Sequence, residues 1–186
     1  MMKFRDLTAD EIECRVQSVK QNGLVLLLYK NARCDMNILD ETVGAENWQR
    51  EHYECKGNLF CKVGILCTTT AIKYNDNVVH ENTSLDWVWK SDCGTESNTE
   101  AQKGEASDSF KRACFNWGIG RELYTAPFTW IPAEKCNIVD GKNGTKQCYD
   151  KFEVEKIIIE DKKIKALAIW NTTKNIRAFV WQDDKK

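Results

Sequence analysis

The chain has no surplus of either charge, few histidines and no long apolar run, and each shortage narrows its function. Lysine and arginine total 27 against 28 aspartates and glutamates, a net charge of −1. Binders of polyanions usually carry a basic excess, so such binding here would rest on where cations cluster, not on bulk attraction. The apolar run LVLLLY is far too short to cross a bilayer. The opening MMKFRDLTADE has no apolar signal region, so the expected location is the cytosol, with no membrane partner. Nine cysteines include no C-x-x-C pair, and only His52 and His80 could help them hold a metal. They read as reduced, mostly small apolar core residues. No G-x-x-x-x-G-K-[ST], G-x-S-x-G or H-E-x-x-H occurs. Any work on nucleic acid is therefore driven by binding and not by ATP, with no cofactor and no enzymatic activity expected. No segment repeats another convincingly, and none is low in complexity.

What is present describes a folded chain. Hydrophobic residues make up 42% and charged residues 30% of 186. That balance and length fit a single domain over residues 1–186. Thr8 and Glu11 have the spacing of a capping box. IECRVQSV and GLVLLLY, joined at a Gln-Asn-Gly turn, read as a β-hairpin. NARCDMNILDETVG reads as a helix with the stripe Ala32, Met36, Leu39 and Val43 and Gly44 as its stop. Arg33 lies in its first turn, the wrong end for a cation, which suits either solvent or an external anion.

WQREHYEC and LFCKVGILCTTT read as a second hairpin and WVWKSDC as a further strand. KYNDNVVHENTSLD between them reads as a long polar loop, with room for a short strand of its own. Thr99 with Gln102 makes a second possible capping box before the main helix. PAEKCNIVDGKNGTKQCYD reads as a flexible connector, and FEVEKIII, IKALAIW and NIRAFVW as three antiparallel strands. The expected fold is α+β: an antiparallel sheet packed with a main helix, preceded by a hairpin and helix and followed by C-terminal strands. The core spans about 12–130 and the β extension about 148–182.

The stretch SDSFKRACFNWGIGRELY raises the sharpest question. Ala106, Phe110, Ala113 and Trp117 recur at offsets four, seven and eleven, an apolar stripe. At about 100° per residue, Lys111, Arg112 and Phe115 fall on the other side, and Lys103 lies nearer the stripe edge. Gly118 and Gly120 supply a cap and a tight exit.

ARCDMNILDETVGAENWQ and KGEASDSFKRACFNWGIGRELYTAPFTW resemble the phage and bacterial branch of the Rad-fifty-two/Rad-twenty-two family of single-strand annealing recombination proteins. The resemblance covers roughly Ile12 to Trp130. It rests on Ser107-Asp108, Lys111-Arg112-Ala113 and Trp117-Gly118 in that order. It implies a β-β-β-α core, assembled as a homo-oligomeric ring or helix. Single-stranded DNA would lie in a positive groove with phosphates inward and bases outward, ready to anneal without ATP. Carried over by position, the DNA-contacting residues are Arg33, Lys103, Lys111 and Arg112. Arg121 is grouped with them, and Leu123 falls near a position that touches the edge of a base. Partners implied are single-stranded DNA, the chain itself, and a phage exonuclease or host single-strand-binding protein or recombinase, in a bacterial cytoplasm. One departure stands out: where many members carry another Arg one turn after the Lys-Arg pair, this chain has Phe115. That ring either stacks on a base or packs on a neighbouring subunit or a second core layer.

Two other functions fit parts of the pattern. A strand-protecting protein that binds but does not anneal would need the same cations. A metal-dependent nuclease would need clustered carboxylates, and the candidates Asp92, Glu96, Glu105 and Asp108 are scattered over a loop and a helix start.

Overall fold

Alternation in three successive segments dictates one sheet. β3 (Trp48–Cys55), β4 (Asn58–Asn75) and β5 (Val78–Cys93) are antiparallel in the order β3-β4-β5. α2 (Ala101–Trp117) follows and packs on β4 and β5. The β-β-β-α core is thus consecutive in the chain. The computed structural model describes residues 2–75, 78–95 and 101–183, and its contacts divide them into two units. The first unit comprises Met1–Phe4 and Asp35–Ile119, the second Arg5–Cys34 and Gly120–Lys186.

In the first unit, odd-numbered β4 residues Cys61, Val63 and Ile65 are fully buried, as are Ser109, Phe110, Ala113 and Cys114 of α2. The expected stripe is right at Phe110 and Ala113. Trp117 is different: it is half-buried, and its Nε1–H donates to the Val63 carbonyl at 2.9 Å. An indole with a polar edge suits the rim of the core, where its N–H finds an acceptor. α2 ends at Gly118, whose φ of +98° is open to glycine at little cost. The Ile119 N–H then bonds the Cys114 carbonyl at 3.1 Å, the six-to-one closure of a Schellman stop.

Two sequence expectations fail here for physical reasons. In KYNDNVVHENTSLD, residues 73–75 and 78–86 are strand throughout, well beyond the short strand that the loop reading allowed. β4 and β5 pair in continuous register from Phe60↔Cys93 to Asn75↔Val78, while β3 stops at Trp48↔Ile65. The far part is a two-stranded ribbon, and a strand with little core to cover need not show apolar alternation. α1 (Ala32–Val43) forms as expected, but its buried residues are Cys34, Asp35, Ile38 and Leu39, with Ala32, Met36 and Val43 only half-buried. A buried acid is invisible to a hydropathy stripe, so the face was rotated. The Thr99–Gln102 capping box involves a residue outside those described.

The second unit is built on a six-stranded antiparallel sheet, order β11-β10-β9-β1-β2-β6. Its hairpins are β1 (Glu13–Lys20) with β2 (Gly23–Tyr29), and β9 (Phe152–Glu160) with β10 (Lys163–Asn171) and β11 (Ile176–Gln182). β6 (Thr129–Pro132) pairs with β2, and Glu13↔Glu153 joins β1 to β9. The C-terminal strands thus extend the sheet begun by the first hairpin. Leu24, Leu26, Ile131, Ile164, Leu167 and Ile169 form its buried core.

The Thr8–Glu11 box is present, with the Thr8 N–H donating to Glu11 Oε2 at 2.9 Å. The Arg5 guanidinium holds the Glu11 carboxyl down at about 2. The connector before β9, expected as a flexible link, contains short regular elements. β7 (Val139–Asp140) pairs with β8 (Lys146–Gln147) within it. Asp150 accepts from the Asn137 N–H at 2.8 Å, Asn137 Nδ2 at 2.9 Å and Asn171 Nδ2 at 2.8 Å. Burial pushes the Asp150 carboxyl up, but these donors outweigh it and hold it below its ordinary value.

Candidate nucleic-acid interface

The apolar side of α2 fixes where its cations point. With Phe110 as reference, about 100° per residue places Lys103 roughly 20° away, Lys111 about 100° on and Arg112 about 200° on. Lys103 is exposed, while Lys111 and Arg112 are half-buried along their stems. Long basic side chains lay their methylenes on the protein and keep the charge outside.

The flank of α2 nearest β3 holds a residue that the motif did not reveal. The Arg50 guanidinium lies 4.7 Å from the centroid of the Phe110 ring. Phe110 in turn stacks on Trp48 at 6.1 Å, and Trp48 Nε1–H donates to Asp40 at 2.6 Å. His52 Nε2 lies 3.1 Å from the Ala106 carbonyl. Trp48, Arg50 and His52 are alternate residues of β3 and share a face. Arg50 is exposed, and no ion pair joins Arg50 or Lys111 to another described residue. The alternation of WQREHYEC carried this signal: once Trp48 is given to the core side, Arg50 follows it.

The flank nearest β5 is differently arranged. Arg112 Nε lies 3.2 Å from Asp92 Oδ1. Lys90 Nζ sits 4.6 Å over the Trp117 ring and donates to the Asn116 carbonyl at 2.9 Å, serving as a cation at the C-terminal end of α2. Asn116 Nδ2 donates to the Ser91 carbonyl at 2.9 Å. Three carboxylates considered for metal chemistry have structural bonds: Asp92 to Arg112, Glu105 Oε1 to the Leu59 N–H at 3.1 Å, and Asp108 to the Thr95 N–H and hydroxyl at 3.1 Å. Glu96 lies outside the described residues.

The structure brings Lys103, Lys111 and Arg112 together on one helix. The other candidates belong to the second unit. Arg33 is exposed in the first turn of α1, where Asn31 Oδ1 accepts the Arg33 N–H at 2.9 Å and the Cys34 N–H at 3.1 Å as the helix cap. Arg121 is exposed at the start of a 3-10 turn, Arg121–Thr125. Leu123, half-buried in that turn, lines an apolar groove of about 330 Å³ with Leu27, Tyr124 and Phe128.

The first unit thus contains a consecutive β-β-β-α core with the Lys111-Arg112 pair on its helix. The family described as Rad52/22 family double-strand break repair protein matches residues 4–142. The chain belongs to that family, whose members bind DNA, self-associate and anneal single strands in recombination and repair. Compared with curated proteins one by one, it matches none. Among the described residues, no helix is long and apolar enough to cross a membrane.

Proposed function

We propose that this chain anneals complementary single strands without nucleotide hydrolysis, as a homo-oligomeric ring or helix that holds DNA along the outer side of α2. The observation that carries this reading is Lys111, on the side of α2 away from the Phe110 core and with no ion pair to a described residue. Arg112 and Arg50 add charge on the two flanks, Lys103 lies two turns earlier on the Phe110 side of the helix, and Arg33 and Arg121 are further candidates in the second unit. Each cation that neutralises a phosphate releases counterions, which gives affinity without sequence preference. Contacts confined to the backbone leave base edges unread, so sequence is judged by the incoming strand. Repetition along an oligomer makes each neighbouring contact effectively intramolecular, so a modest site on a chain of charge −1 is enough.

In this reading the chain is not an enzyme and needs no cofactor. It works in a bacterial cytoplasm as a phage or prophage product, beside an exonuclease or a host single-strand-binding protein or recombinase. The test is annealing of two complementary oligonucleotides without ATP. Full-rate pairing that depends on Lys111 is expected. Binding without acceleration of pairing would make it a strand-protecting protein, and magnesium-dependent cleavage would make it a nuclease.

A further inference from the structure

The β3-β4-β5 sheet has two faces with opposite surroundings. Cys61, Val63 and Ile65 turn one face to the core under α2. Pairing Tyr53↔Phe60, Gly64↔Trp89 and Leu66↔Trp87 puts those residues on the other. There Tyr53 and Phe60 stack at 5.5 Å, and Trp87 and Trp89 lie 6.1 Å apart. Tyr53 is 37%, Trp87 38%, Trp89 37% and Leu85 67% exposed. Gly64 permits this packing, because a Cβ at that position would stand 2.8 Å from the Trp89 ring. From Tyr53 and Phe60 as far as Leu85, the charged residues on this face are Glu51 and Lys62, which pair at 3.0 Å. Lys62 Nζ also lies 4.7 Å over the Trp89 ring.

We propose that this aromatic face is the surface through which copies of the chain join. The inference rests on the oligomeric reading above and names the surface it uses. The stretch of this face rich in Trp, Tyr and Phe, with the one ion pair inside it self-neutralised, has the composition of an interface centre. The same neutrality makes it a poor seat for a polyanion, which needs unspent cations. The ribbon of β4 and β5 beyond Ile65 and Val88 has only its own two strands in the ladder among the described residues. Two-stranded ribbons are marginal alone in water, and this one carries the exposed Leu85. A second copy lying on the face would cover ring and ribbon together. In an assembly of more than two, the contact is head to tail, so the face meets a different surface of the next copy.

The experiment compares assembly of the wild-type chain with L85D and W87A by light scattering over a protein dilution series, with helix content and melting temperature checked. Each variant is expected to raise the half-assembly concentration about tenfold or more, as truncating an interface anchor does. Leu85 is exposed enough that L85D tests the surface even if W87A loosens the sheet. Assembly of both variants at the wild-type concentration overturns this surface and leaves the oligomeric reading intact. A wild-type chain that stays monomeric at every concentration overturns both. Variants that keep their mass but lose oligonucleotide binding would make the face a base platform, and overturn the proposal.

Discussion

Two flanks of the same helix hold their cations in opposite circumstances. Toward β3, Arg50 rests on the Phe110 ring with no carboxylate against it among the described residues. Toward β5, Arg112 faces Asp92 and Lys90 is committed to the end of α2. Lys111 stands between the flanks. Charge count alone would rank these four alike. A cation already paired must give up its partner, or share it, to hold a phosphate, whereas one braced by a ring is oriented and still available. On the proposed reading the flank toward β3 contributes more to DNA binding, although the motif names Lys111 and Arg112 and not Arg50.

The largest perturbation removes the ring that anchors α2 and supports the flank toward β3. Phe110 is fully buried, stacks on Trp48 and supports Arg50. F110A should cost about 3–5 kcal/mol. For a chain of this size that lowers the melting temperature by about 6–20 °C. Thermal unfolding checks it, and an unchanged transition would show that α2 does not pack through this ring. W117A should cost clearly less, since that ring is only half-buried.

How far the sequence revealed this arrangement depends on what each residue answers to. The hairpins formed by β1 with β2 and by β9 with β10 were legible because turn residues interrupt alternating runs. The stop at Gly118 was legible because left-handed backbone calls for glycine. Asp35 hid the true face of α1, because burial of a charged residue is a tertiary fact. The ribbon of β4 and β5 was hidden because polarity was read as loop. For the site, spacing alone put Lys111 and Arg112 off the core. The Asp92–Arg112 pair was not legible, since twenty residues and the β4–β5 register intervene. Arg50 was within reach through the alternation of β3, but its ring support depends on where α2 lands.

The next effect is on binding. The double variant K111A/R112A should keep the fold, as neither side chain belongs to the buried stripe. If each holds one phosphate, the slope of log affinity against log salt should flatten by about 1.4, or 0.7 per contact on a single strand. A titration with a labelled oligonucleotide across a salt series measures it. An unaltered slope would remove α2 from the DNA path.

R50A sharpens the comparison, because it touches only the flank toward β3. The expected loss is about 0.7 in the same slope. R50K should keep that slope while losing part of the stacking on Phe110, which separates a phosphate contact from a packing role. Equal slopes for wild type and R50A, with a lowered melting temperature, would confine Arg50 to packing.

The smallest expected effect tests the flank toward β5 directly. D92N keeps the shape and one acceptor oxygen of the side chain but removes its charge, so Arg112 is released to an incoming phosphate. A half-buried surface ion pair of this kind is worth about 0.2–1 kcal/mol, which corresponds to tightening of single-strand binding by about 1.4- to 5-fold. The direction carries the argument: removing a negative charge by itself also favours a polyanion, so the gain must vanish in D92N/R112A relative to R112A alone. That double-mutant cycle assigns the effect to the pair. If D92N tightens binding equally with and without Arg112, Asp92 acts only through the general field. If D92N weakens binding, then Asp92 orients Arg112 toward the phosphate instead of withholding it, and the two flanks contribute alike.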